Sequence, residues 1–167
     1  MKPQLHFFYI ISDKFFEDFP DPYLKENKEE NRPNYYCFKS ENDEIYWMIP
    51  VSSKIEKYKK IVKQYESCGR KCIKVFIIEI AGREMALLIQ DMFPVTEEYI
   101  VREFTIKNIP LKLLDTSQIK EIEKRAKKVL ALLRQGKKLL KTQPNALEIE
   151  KALKQKLLNK ERGGCKG

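Results

Sequence analysis

Ser52, Ser53, Lys54 and Lys57 place two hydroxyls and two ammonium groups within one short stretch. The stretch starts as a strand. Apolar and aromatic residues run from Ile45 to Val51, and Pro50 closes the run. It continues as a helix, because Ser53 followed by Glu56 has the spacing of a capping box. Hydroxyls, the unpaired N–H groups of a helix N-terminus and nearby lysines can together bind phosphate and stabilise an anionic transition state. An ordinary capped helix on a basic protein has the same residues, so both readings stand at this point.

Stepping outward, the composition narrows the chemistry. The 167 residues form one expected domain, 1–167, large enough for a core. His6 is the only histidine, which leaves no paired-imidazole acid–base chemistry and few transition-metal sites. Cys68 and Cys72 have no second pair to complete a zinc site, and Cys37 and Cys165 stand alone. Neither a metal nor a cofactor is expected. No apolar run reaches spanning length and none reads as a signal peptide, so the expected location is the cytoplasm.

The net charge of +9 is unevenly spread. Residues 1–101 hold 15 Lys/Arg against 17 Asp/Glu, and residues 102–167 hold 18 against 7. A concentrated positive region suits a polyanion, and nucleic acid before membrane, because the helices that carry it have Ile, Val, Leu and Ala on their apolar sides. A solvated lysine-rich helix surface has the same composition.

The elements that must position these groups read as follows. Leu5–Ile11 is a buried first strand, and Ser12 or Asp13 caps a short helical turn bearing Phe15, Phe16 and Phe19. Residues 20–34 form a polar, proline-bearing surface loop with Arg32 near its end, either a phosphate clamp or an exposed arginine beside a turn. Tyr35–Lys39 pairs with Ile45–Val51 as a hairpin. The helix from Ser53 buries Ile55, Tyr58, Val62 and Tyr65 and stops near Gly69. A second hairpin joins 72–80 to 84–90 through Ala81-Gly82-Arg83, and 99–106 is a last strand. Asp115 with Gln118 caps a long helix ended by Gly136, and Asn145 with Glu148 caps a final helix before a frayed tail, 162–167. Hairpins first and helices last give an α+β domain: a small, strongly bent antiparallel sheet or open barrel, with packed helices and two long basic helices at the C-terminus.

Several strings resemble one family. They are Phe8-Tyr9-Ile10-Ile11-Ser12, Asn31-Arg32-Pro33-Asn34-Tyr35-Tyr36, Tyr46-Trp47-Met48-Ile49-Pro50-Val51-Ser52-Ser53-Lys54 and Leu88-Ile89-Gln90-Asp91-Met92-Phe93-Pro94. Their order is similar to that of the endoribonuclease toxins of type III toxin–antitoxin systems, the ToxN/AbiQ group and its CptN-like branch. The resemblance implies a Kid/MazF-like fold and metal-independent cleavage of A-rich cellular or phage mRNA to a 2′,3′-cyclic phosphate. It also implies inhibition by a small repetitive antitoxin RNA, which the toxin processes and with which it forms a closed assembly, in phage resistance or plasmid maintenance. Carried onto this sequence, it makes Ser53, Ser52, Lys54 and Arg32 the catalytic residues. The RNA-binding residues are then Asn34, Tyr35 and Lys57, with Lys120, Lys124, Lys127, Lys128, Lys137 and Lys138 on the basic C-terminal region. A non-catalytic RNA-binding protein and a Kid/MazF-type nuclease neutralised by a protein are the rival readings.

Overall fold

The structure, a computed structural model, describes residues 1–164. Strand β1 (Phe8–Ile11) leads to helix α1 (Asp13–Asp18), whose N-cap Ser12 accepts from the Lys14 N–H. The loop that follows is ordered by its own contacts and delivers β2 (Asn34–Lys39), which turns into β3 (Tyr46–Ser52). Helix α2 (Ile55–Ser67) comes next, then the hairpin β4 (Phe76–Ile80) and β5 (Arg83–Leu87). A short 3-10 turn, Ile89–Asp91, separates β5 from β6 (Phe93–Val95). Strand β7 (Ile100–Glu103) and the small hairpin β8 (Thr105–Ile106) and β9 (Ile109–Pro110) precede the long helices α3 (Thr116–Arg134) and α4 (Ala146–Gly164).

The main sheet is antiparallel throughout, with strand order β4-β5-β3-β2-β1-β7 and with β6 also beside β3. It has two ends, so it is an open sheet and not a barrel. Strand β3 is its centre. One of its edges takes β2 along most of its length. The other takes β6 against Tyr46–Met48 and then β5 against Val51–Ser52. Every residue of β3 is buried, which is why it reads as a continuous apolar run instead of an alternating one. A register shift between Tyr36 and Phe38 leaves Cys37 as the bulged residue of β2.

Alternation along the strands sorts the core onto two faces. Phe8, Tyr35, Trp47, Ile49 and Val51 pack with Ile122, Ala126, Val129 and Leu133 of α3. Tyr9, Tyr36, Tyr46 and Met48 pack with Phe15, Phe93, Tyr99 and with Ile149 and Leu153 of α4. Helix α2 covers the β4–β5 end instead, where Tyr58 meets Cys72, Val75, Ala86 and Leu88. A bidentate pair, Arg134 to Glu150 with both N–O distances 2.9 Å, ties the end of α3 to α4.

Turn chemistry explains several boundaries. Ala81 and Gly82 both have positive φ, 52° and 72°, which is the two-residue hairpin turn that matches strand twist. Asp115 accepts from the Gln118 N–H at 3.0 Å and starts α3, and Gly136 at φ 78° follows its end.

Other expectations shift. The first strand starts at Phe8 and not Leu5, because His6 takes φ 74° and Phe7 makes only a bridge to Lys112. The fourth strand starts at Phe76 and not Cys72, and the fifth ends at Leu87 and not Gln90, since Ile89–Asp91 folds into a 3-10 turn. The strand expected over 99–106 stops at Glu103, and the β8–β9 hairpin turns through Lys107 and Asn108 at positive φ. The N–H of Asn145, just before α4, donates to Asp21 Oδ2 of the distant loop at 2.7 Å. Helix α4 continues through Arg162 to Gly164, and the remainder of the expected frayed tail lies outside the described residues.

Candidate active site

The junction of β3 and α2 differs from the capping box expected at Ser53 and Glu56. Strand pairing holds the chain extended through Ser52, opposite Ala86, so the helix begins at Ile55 and the N-cap position falls to Lys54. Lys54 has no side-chain oxygen to offer, and α2 has no side-chain cap. Ser52 Oγ accepts from the Lys54 N–H at 3.2 Å, while the Ile55 N–H donates to the Ser53 carbonyl at 2.8 Å. The two serines therefore divide their roles. Ser52 is 5% exposed and shapes the turn. Ser53 is exposed, and its hydroxyl has no partner among the described residues.

An uncapped start leaves N–H groups of the first turn of α2 facing solvent, at the positive end of the helix dipole. The exposed side chains of Ser53, Lys54 and Lys57 surround it, with the Lys57 ammonium 5.3 Å from the centre of the Tyr58 ring. This is one cluster of donors and positive charge on the rim of the central strand.

Arg32 lies beneath this rim and not on the surface. It is 8% exposed. Its Nε donates to the Glu26 carbonyl at 2.5 Å, and its Nη1 donates to the Val51 carbonyl at 2.6 Å. An exposed arginine beside a turn does not describe it, and its Nε and Nη1 are taken by backbone carbonyls and not free for a phosphate. Burial pulls its pKa down, partly offset by Tyr58, Glu26 and Asp91. The guanidinium thus bolts the 20–34 loop to the carbonyl immediately before Ser52.

The loop itself holds an unusual turn. Lys28, Glu29 and Glu30 have φ of 51°, 56° and 61°, three left-handed residues in a row without a glycine. Asn27 braces it from below, its Nδ2 donating to the Ile11 carbonyl and to Asp13 Oδ1 at 2.8 Å each. Glu30 accepts from the Asp13 N–H at 3.0 Å, and the Arg32 N–H donates to the Asn27 carbonyl at 3.2 Å.

Asn34 and Tyr35, expected to contact RNA, are both inside. Asn34 is 1% exposed and stands opposite Pro50, which has no N–H to give; its amide donates to the Tyr9 and Arg32 carbonyls. Tyr35 is 1% exposed, and its hydroxyl lies 3.0 Å from His6 Nδ1. Strand alternation turns its ring toward α3, so it has no face for a base. The His6 pKa is lowered, first by burial and then by Lys112.

The sequence also concealed a buried polar pair near Arg32. Asp91 is 3% exposed and Gln90 is 8% exposed. Lys25 of the loop approaches Asp91 Oδ2 at 3.7 Å and Gln90 Nε2 approaches it at 3.4 Å. Burial raises the Asp91 pKa, and Lys25 opposes that shift. The available signal was two polar residues breaking the apolar run from Leu87 to Phe93. Among the described residues no three His, Cys, Asp or Glu side chains are grouped as a metal ion would require.

On α3, Lys120, Lys124, Lys127 and Lys128 are all exposed, as are Lys137 and Lys138 beyond it. Lys127 is engaged, pairing with Glu123 at 2.7 Å and lying over the Phe38 ring. Lys138 donates to the Gln143 carbonyl at 3.4 Å. These lysines are not neighbours of Ser53 in the chain, and α3 packs on the sheet face of Trp47 and Ile49. No helix among the described residues is long and apolar enough to cross a membrane.

The open antiparallel sheet, sandwiched by α1 and α4 on one face and α3 on the other, is an α+β architecture. The fold is that of AbiQ, a lactococcal anti-phage endoribonuclease belonging to a type III toxin–antitoxin system. The two share 16% sequence identity over 92% of this chain and 99% of that one, with a TM-score of 0.64. No protein-family model and no curated protein matches the sequence.

Proposed function

We propose that this chain is an endoribonuclease toxin that cuts A-rich RNA without a metal ion and is restrained by a small repetitive antitoxin RNA. The observation that carries the reading is the free, exposed Ser53 hydroxyl at the uncapped N-terminus of α2, on a fold shared with AbiQ. An ordinary helix cap would use that hydroxyl for the helix. Here the helix is left open.

RNA supplies its own nucleophile. The 2′-oxygen attacks the adjacent phosphorus as its proton passes to water, and the P–O5′ bond breaks. The products are a 2′,3′-cyclic phosphate and a 5′-hydroxyl that takes a proton from solvent. The protein has to hold this geometry in line and stabilise the phosphorane. Ser53 Oγ–H and the first-turn N–H groups of α2 donate to the non-bridging oxygens. Lys54 and Lys57 neutralise the added charge, and Lys54 supports the leaving 5′-oxygen.

Ser52 and Arg32 act one step back. The Ser52 hydroxyl fixes the Lys54 backbone, and Arg32 fixes the Val51 carbonyl. Both are positioning residues in this scheme, so the catalytic contacts that the resemblance implied for them pass to Ser53 and the two lysines. The exposed lysines of α3 and of the segment after it offer charge to the RNA backbone.

The test is incubation of the purified protein with an A-rich RNA in excess chelator, with analysis of the product ends. Cyclic phosphate and 5′-hydroxyl ends are expected. Intact RNA, bound or unbound, rejects the nuclease reading. Tandem short repeats followed by a terminator upstream of the coding sequence would identify the antitoxin RNA; their absence favours a protein antitoxin.

A further inference from the structure

A second concentration of positive charge lies at the other end of α2. The chain leaves that helix through Arg70, whose N–H donates to the Tyr65 carbonyl at 3.0 Å. The segment then crosses α3 and forms a cleft of about 410 Å³ with it. Arg70 and Lys71 line one side; Lys124, Arg125 and Lys128 line the other, and Glu121 is the sole carboxylate.

The charges in this cleft are not balanced internally. Glu121 is consumed by Arg125 at 2.9 Å and lies 4.0 Å from Lys71. Arg125 is further pinned, donating to the Cys72 carbonyl at 2.7 Å and lying over the Phe76 ring. Arg70, Lys124 and Lys128 have no ion-pair partner among the described residues, and Lys124 and Lys128 sit at the i,i+4 spacing where like charges repel. Arg70 and Lys74 also lie over the ring of Tyr65, at 5.3 and 5.0 Å from its centre. A concave site with an excess of unneutralised cations favours a multiply charged anion.

Between this cleft and Ser53 runs α2. Its 13 residues span about 20 Å, and Lys57, Lys60 and Lys63 are exposed along it. We propose that the cleft is an exosite for the phosphate backbone of single-stranded RNA, reached along α2 by the strand whose scissile phosphate sits at Ser53. The proposal rests on the reading of the chain as an RNA-cutting protein and assigns Arg70, Lys71, Lys124 and Lys128 to the substrate strand.

The consequence is a length dependence. A strand too short to run the length of α2 gains nothing from the cleft, and a longer one gains affinity that salt removes.

The experiment compares the intact protein with a triple variant, Arg70→Glu, Lys124→Glu and Lys128→Glu. A control variant removes the same charge elsewhere through Lys2→Glu, Lys107→Glu and Lys151→Glu. Binding is followed by fluorescence anisotropy with fully 2′-O-methylated RNA, which cannot be cut, as a trinucleotide and as a dodecanucleotide, across a salt series. Circular dichroism confirms that each variant is folded.

The expected result is at least a tenfold loss for the dodecanucleotide in the exosite variant only. Its salt slope falls by about 2, from about 0.7 per lost contact on a single strand, and the trinucleotide is unaffected. Equal binding by the exosite variant and the intact protein overturns the proposal. So does an equal loss in the control variant, and so does polyglutamate binding as tightly as RNA of the same charge. Because the RNA is uncleavable, a protein that lacks nuclease activity can still pass or fail this test.

Discussion

Arg32 Nη1 donates to the Val51 carbonyl at 2.6 Å, one residue before the two serines of the β3–α2 rim. Through its Nε it also holds the Glu26 carbonyl, so one guanidinium couples the 20–34 loop to the end of the central strand. The planar fork holds Nε and Nη1 toward two carbonyls in one rigid geometry, which the compact ammonium of a lysine does not reproduce.

The first prediction follows from that fork. Arg32→Lys and Arg32→Ala each lose about 3 kcal/mol of stability, because charge-assisted bonds to buried carbonyls are broken. Cleavage falls with both variants at every salt concentration. Thermal melts and turnover measured from low to high salt check this. An Arg32→Ala protein with normal stability and a selective loss of RNA affinity would return Arg32 to direct phosphate contact.

The two serines should separate cleanly. Ser53→Ala leaves stability within about 0.5 kcal/mol of the parent, as for a surface change with no partner lost, but lowers the cleavage rate by about 10²–10³, the usual effect of removing one preorganised donor. Ser52→Ala loses the bond to the Lys54 N–H and destabilises the fold by about 1 kcal/mol. Parallel denaturation and single-turnover cleavage distinguish the two. Turnover unchanged in a folded Ser53→Ala protein removes Ser53 from the chemistry.

Tyr35 supplies a control inside the core. Tyr35→Phe removes the hydroxyl next to His6 Nδ1 and costs about 1 kcal/mol. RNA affinity and its salt slope stay unchanged because the ring faces α3. A weakened RNA complex with an unchanged melting temperature would contradict the buried placement.

His6 sets an acid limit on stability, not on catalysis. Burial depresses its pKa from the ordinary 6.5, so the folded state prefers the neutral ring. The unfolded chain then binds a proton first as pH falls. The stabilisation is complete above 6.5 and is lost as pH drops from there through the lower folded value. His6→Gln should flatten the stability profile in that window and leave the pH profile of RNA cleavage unchanged. NMR of the single imidazole gives the folded pKa directly, and a value above 6.5 would reverse the sign.

Much of the architecture was legible in local sequence. Periodicity marked the apolar stripe of α3, Asp115 and Gly136 marked its ends, and the unbroken run from Ile45 to Val51 marked a strand, which the fold buries on both faces. The small hairpin at Lys107-Asn108 was missed because Thr105–Pro110 is too short and too exposed to show a pattern.

The sequence by itself determined which residue types serve the rim: two serines and a lysine at the strand end, and an arginine near the end of a proline-bearing loop. Only the tertiary structure decided what each faces. Pairing of Ser52 with Ala86 keeps the chain extended for one residue more than the capping spacing suggests, and that single step moves the N-cap to Lys54. Ser52 turns inward and the Ser53 hydroxyl is left free. In the same way, the loop's fold puts Arg32 under the rim, and the bonds across β1 and β2 draw Asn34 and Tyr35 into the core. Local spacing sets helix and strand preference through short-range bonds. Which side of a side chain meets water is fixed by partners far along the chain, such as Val51 for Arg32, and those no window of sequence contains.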